Sequence, residues 1–300
     1  MKENHKAILH RKKGYSSAMM MFLTGPVQKP QDENETVFAI KLGRLTHYVI
    51  GDAQKGLPYG LVSRLIKLWI DTEIIYSSYG RGNVEKDYIT IKNERVVSGY
   101  KLTIPDSLSD FLINCLGLSS GSVDIKELQN QLVRMASVKF RTSFKEDDGS
   151  LVEETNNFIN NSRFSWLDNG ELGKSYFYID SNYFKNIVEN HRFMVLDMAL
   201  VKKFIRTIEG IDIYRFVKHI SCTLKVASIE IPIKELQEQL QDSSPSDNFI
   251  KKIRKIIAII NKDSLVNAEV ISSLGRSRQS FLKINSTKHL ISKELFVKNK

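Results

Sequence analysis

Lys251, Lys252, Arg254 and Lys255 place four cations within five positions. On a helix they cannot all turn toward a core. The chemistry open to them is neutralising phosphates and donating to base edges. The plain alternative is a solvated helix face. Arg276 and Arg278 follow in "SSLGRSRQ", a Gly-containing turn between "LVNAEVI" and "SFLKIN". A hairpin wing that touches DNA needs such a turn. A second set is less basic: Gln129 and Arg134 in "IKELQNQLVRMA", then Lys139 and Arg141 just beyond, with Gln131 and Glu127 on the same helix. Amides and guanidinium groups discriminate bases. This set fits either a reading helix or a dimer interface.

The formal net charge is +10, and it is localised. Residues 246–300 carry twelve Lys/Arg and four Asp/Glu, a net of +8. Residues 146–189 carry three basic and nine acidic residues, a net of −6. A cationic end and an anionic middle favour nucleic acid as the partner of the C-terminal part.

The elements that must hold these residues can be read from periodicity. Residues 1–35 are polar and aperiodic, which predicts a flexible N-terminal arm. "TVFAIKLGRLTHYVI" (36–50) is β-branched and aromatic and predicts one or two strands. Val62, Leu65, Ile66 and Trp69 form a helical apolar stripe. Residues 79–104 are Gly-broken, predicting loop with strand character. Ser107 and Asp110 fit a capping pattern ahead of "LSDFLINCLG", and Asp124 caps the next helix. Alternating runs at 137–144, 163–167 and 175–180 follow. A helix pair and then strands predicts a first winged-helix domain over 36–190.

The second half repeats the layout over 191–300. "GIDIYRFVKHISCTLK" is a helix, "IEIP" a strand and "PIKELQEQL" a helix. Asp247 can cap "NFIKKIRKIIAIIN", which precedes the hairpin. The fold class predicted is therefore α+β, with two tandem winged-helix domains. The second, basic domain is the main DNA binder; the first could contact DNA, dimerise or both.

"IKELQNQL" (125–132) and "IKELQEQL" (233–240) agree at seven of eight positions, 108 residues apart. They are not equivalent by register. The first is the second helix of its pair, and the other is the first helix of its pair. Ile and Leu at helical spacing with Lys, Glu and Gln between is simply good helix composition. The reading helices should be the second of each pair, 124–136 and 247–261.

Several chemistries find no support. No Gly-x-x-x-x-Gly-Lys-Ser/Thr phosphate loop occurs, and "GRGN" (80–83) is too short for one. The six histidines show no paired metal spacing, so no metal, cofactor or tyrosine nicking chemistry is expected. Nothing points to an enzyme. Cys115 and Cys222 sit in apolar helical patterns and suit buried thiols in a reducing compartment. No apolar run approaches the ~18–20 residues of a membrane span. Met19–Leu23 after Arg11-Lys12-Lys13 is too short for a signal peptide. The expectation is a cytoplasmic protein with no membrane partner.

"GLPYGLVSRLIKLWIDTEII" (56–75) and "SLSDFLINCLGLSSG" (107–121) carry a resemblance. The chain resembles the plasmid-encoded RepA-type replication initiators, close to the TrfA-like group. Gly56, Leu57, Pro58, Tyr59, Gly60, Arg64, Leu65, Thr72 and Glu73 match that pattern. So do Ser107, Leu108, Ser109, Phe111, Leu116, Gly117 and Gly121. "DIYRFVKHI" (212–220) is similar to the family's second-domain helix, and the likeness spans roughly 37–262. Ser63 stands where the family has proline, 80–104 is inserted, and the acidic stretch 145–162 is long. The resemblance implies two winged-helix domains, binding to repeated sites in double-stranded plasmid origin DNA, and recruitment of host replication proteins such as a helicase or initiator. A competing reading with the same fold is a dimeric transcriptional repressor acting on its own promoter.

Overall fold

The computed structural model describes residues 7–17, 25–30, 32, 35–42, 45–91, 94–145, 148–167, 172–191, 193–272 and 279–288. The chain is α+β and divides into two units, Met1–Ala199 and Leu200–Lys300.

Unit 1 begins with a 3-10 turn at Ile8–His10, then β1 (Lys13–Ser17), β2 (Val37–Leu42), β3 (Leu45–Ile50) and α1 (Gly60–Ser78). Next come β4 (Val84–Ile91), β5 (Glu94–Ile104), and α2 (Leu108–Asp110), which runs on as a π turn over Phe111–Leu116. Then follow α3 (Ile125–Ser137), β6 (Lys139–Lys145), β7 (Leu151–Asn157), β8 (Ile159–Arg163), β9 (Ser175–Ile179), α4 (Ser181–Val188) and β10 (Phe193–Asp197). The short helix α5 (Met198–Lys203) carries the chain from one unit into the other.

Helix α1 is the axis of unit 1. Every residue from Val62 to Ile75 is buried. A helix buried all round must neutralise its own polar groups. It does so residue by residue. Lys67 pairs with Asp71 at 2.6 Å, and both reach the hydroxyl of Tyr183 on α4. Arg64 donates to the carbonyls of Gly25 (2.9 Å), Pro26 (3.2 Å) and Gly60 (2.9 Å). Glu73 accepts from Arg11 at 2.6 Å and from Asn83 backbone and side chain. Thr72 Oγ1 accepts from the Tyr15 amide at 3.0 Å. Trp69 meets Phe111 edge to face at 5.0 Å.

The flexible arm expected over 1–35 is packed where it is described, at 7–17. Ile8 and Leu9 are buried, and β1 pairs antiparallel with β10. The pairing also carries 193–197 into unit 1, so the units part at Ala199/Leu200 rather than at 190/191. A strand whose partner lies at the far end of the unit leaves no local period to read.

Two antiparallel four-stranded sheets flank the helices, ordered β2-β3-β6-β7 and β4-β5-β9-β8. The inserted stretch 80–104 is thus a paired hairpin, and the acidic stretch after β6 is largely β7 and β8. Unit 1 keeps the order helix, helix pair, hairpin. Its wing strand β6 pairs with β3, however, while the β4–β5 hairpin takes the place of the usual single strand.

Unit 2 follows the winged-helix order throughout. It runs α6 (Glu209–Thr223), β11 (Ser228–Pro232), α7 (Ile233–Gln239), α8 (Ser246–Ile260), β12 (Ala268–Ser272) and β13 (Ser280–Asn285). The strand order is β11-β13-β12, all antiparallel. Phe249, Ile253, Ile256, Ile257 and Ile260 of α8 are buried beneath it. In the core Asp263 accepts from both Lys218 and Tyr214.

Candidate nucleic-acid interface

Helix α8 begins at Ser246 behind Pro245, one residue ahead of the expected Asp247 cap. Proline supplies no side-chain cap. The turn before α8 is instead held by Gln237, whose amide donates to the carbonyls of Asp242 (3.1 Å) and Ser244 (2.6 Å). The other end is fixed by Asn261, which exchanges hydrogen bonds with the backbone of Ala268 at 2.7 and 3.1 Å. One asparagine thereby sets the angle between α8 and the wing strand β12.

With the apolar stripe inward, Lys251, Arg254 and Lys255 are exposed, and so are Ala258 and Lys262. Helical geometry puts Lys251, Lys255, Ala258 and Lys262 along one face. Small Ala258 leaves its centre open to close approach. Among the described residues none of these cations has an ion-pair partner.

Lys252 is different. Its ammonium bonds Glu209 and Asp242, each at 2.6 Å, and clamps α8 to the start of α6 and the preceding turn. Burial works against its charge, but the two carboxylates more than offset that and raise its pKa. Burial likewise acts to raise the Asp242 carboxyl, yet bonds from Lys252 and Ser244 bring it below the ordinary value of 3.8. Lys252 therefore leaves the predicted DNA set, because acidic partners distant in sequence take it up.

Beside α8 runs an open groove of ≈ 580 Å³. It is lined by apolar Phe204, Ile256 and Ile259, by the cations Lys203, Arg206, Lys251, Lys252 and Lys255, and by Glu209. Sequence reasoning missed Lys203 and Arg206; Lys203 ends α5 and Arg206 follows it ahead of α6, where no motif flags them. Arg276 and Arg278, predicted at the wing, lie outside the described residues.

The second predicted set fares less evenly. Helix α3 is capped by Asp124, whose carboxylate accepts from Lys126 N–H at 3.0 Å. Gln131 is fully buried: it accepts from the Tyr59 amide at 3.0 Å and donates to Glu127 at 2.7 Å. Tyr59 also donates its hydroxyl to Glu127 at 2.8 Å. Burial, and then the Glu127 carboxylate, push that phenol's pKa up. Arg134 donates to the Lys55 carbonyl at 2.7 Å and lies 4.9 Å over the Tyr59 ring. Gly56 and Gly60 both take left-handed backbone, φ 75° and 72°, which lets the intervening Leu-Pro-Tyr fold against α3. The matched Gly-Leu-Pro-Tyr-Gly stretch thus seats α3 on α1, and it engages Arg134 and Gln131 in doing so.

What α3 shows to solvent is Ile125, Lys126 and Asn130, with Gln129 half-buried beside them. Lys139 is exposed. Arg141 lies 4.6 Å over the Tyr48 ring and 3.9 Å from Glu153. The structure does not bring this set together with the α8 set in one unit.

Cys115 and Cys222 are half-buried, in different units and not joined by a disulfide, and burial pushes the Cys115 thiol up to about 12. Among the described residues no cluster of His, Cys, Asp and Glu could hold a metal ion. No helix among them is long and apolar enough to cross a membrane.

The fold and the basic helix define an α+β protein whose second unit is a winged helix with an exposed cationic helix face. No family model and no curated protein matches the chain. Among solved structures, the crystal structure of RctB domains 2-3 resembles it at 9% identity and a TM-score of 0.45. That likeness covers 89% of this chain and 97% of that chain. The winged-helix assignment rests on the strand and helix order above.

Proposed function

We propose that this protein is a plasmid replication initiator that binds repeated origin sites in duplex DNA. The observation that carries DNA binding is the partner-free cationic face of α8 beside a groove lined by Lys203 and Arg206. A duplex major groove admits a helix, and lysines at its rim neutralise phosphates while an arginine can donate to guanine. The initiator assignment rests on the resemblance at 56–75 and 107–121. Host replication proteins are then its further partners, and no catalytic chemistry of its own is required.

The test is a footprint of the full chain on DNA flanking its coding sequence. Protection of direct repeats, spaced by whole helical turns, is expected. Protection of one inverted repeat over the promoter instead makes the protein a dimeric repressor.

A further inference from the structure

Over β9 and the part of β5 paired with it, the β4-β5-β9-β8 sheet has one face buried and one open. Inward lie Leu102, Ile104, Phe177 and Ile179, with Tyr100 stacked on Phe184 of α4 at 3.7 Å. Outward, β9 presents Tyr176 and Tyr178, and exposed Lys174 lies just before the strand. Strand register sets Arg163 and Asn161 of β8 beside them on one flank, and Thr103 and Lys101 of β5 on the other. Arg163, Asn161, Thr103 and Lys174 are exposed; the tyrosines and Lys101 are half-exposed.

The two rings are 5.1 Å apart at 77°, and the Lys101 ammonium lies 4.6 Å from the Tyr176 centroid. Tyr178 donates to Asp87 at 2.8 Å, which anchors its ring at the acidic β4 margin. The charge placement argues against a merely solvated face. Residues 146–189 hold only three basic residues among nine acidic ones, and two of the three, Arg163 and Lys174, flank these rings.

Outward aromatics between cations suit bases that are free to unstack; in a duplex the base faces are hidden. We infer that this sheet face binds single-stranded DNA, with bases stacked on Tyr176 and Tyr178 and phosphates on Lys101, Arg163 and Lys174. The choice of DNA over RNA rests on the proposed function; the stacking site does not.

The test uses the full chain and a labelled oligothymidylate of about 20 nucleotides, longer than a typical site of roughly 4–16. The Tyr176→Ala/Tyr178→Ala pair is expected to weaken its binding by about tenfold or more. The Tyr176→Phe/Tyr178→Phe pair keeps the rings and is expected to bind as the parent does. Because loss of two rings could loosen the sheet, Arg163→Glu/Lys174→Glu on exposed positions is the second variant, also expected to lose about tenfold. Duplex affinity and melting temperature should stay unchanged in that variant. Failure of the parent to bind oligothymidylate, undiminished binding by the Ala pair and the Glu pair, or tighter binding to oligouridylate overturns the inference. The Lys251→Ala/Arg254→Ala/Lys255→Ala variant separates the two sites: it should lose duplex and keep oligothymidylate. Loss of both there moves the single strand to unit 2 and overturns this inference. Unchanged duplex binding there overturns the α8 assignment alone.

Discussion

Lys251 and Lys252 are neighbours in sequence with opposite employment. Lys251 faces solvent at the groove, whereas Lys252 holds Glu209 and Asp242. Replacing Lys251, Arg254 and Lys255 with Ala should weaken duplex binding and lower its salt slope by about 0.9 per lost phosphate contact. Titrating affinity against salt checks this, and an unchanged slope rejects the reading face. Lys252→Ala should act on stability instead, because it leaves two carboxylates in part-buried positions without their cation. The pH dependence has a definite sign. Asp242 titrates below 3.8 in the folded chain, so its contribution is present above the unfolded value and is lost as pH falls through the folded one. Acid melts of the parent should therefore show a loss of unit 2 stability below about pH 4 that is reduced in Asp242→Asn.

At the scale of elements, caps and turns decide which faces are presented. The two near-identical octapeptides fall in α3 and α7, the second helix of one pair and the first of the other. In α3, Gln131 turns inward to the Tyr59 amide; in α7, Gln237 braces the turn that launches α8. Composition made both helices, and their surroundings assigned different work. Gly117 ends the π turn after α2 at φ 78°, and a Cβ there would approach the Cβ atoms of Ala7 and Leu9 at 3.1 Å. Gly117→Ala should cost about 1–2 kcal/mol from the left-handed backbone alone, read as a lower urea midpoint at constant slope.

For the whole molecule, residues 7–17 belong to the core of unit 1. Arg11→Ala strips Glu73 of its cation deep beside α1. About 3 kcal/mol of destabilisation is expected. Calorimetry should show the unit 1 transition falling while that of unit 2 stays in place; a parallel fall of both rejects a division at Ala199/Leu200.

The sequence by itself determined α1, α2, α3, α6, α7 and α8, their order, the α+β class and the one strongly basic helix, but not α4 or α5. Those follow from local period, capping residues and charge density, which need no distant partner. It also exposed the motif at 56–75, whose polar members turn out to be the bonded interior of α1. Only the tertiary structure decided the rest. Strand pairing between β1 and β10 is long-range, so the arm could not be read as core. Cations such as Lys252, Arg134 and Arg141 are claimed by partners that only folding brings near. The tyrosine face of β9 hid within an acidic stretch, because register, not composition, gathered Arg163, Lys174 and Lys101 around it.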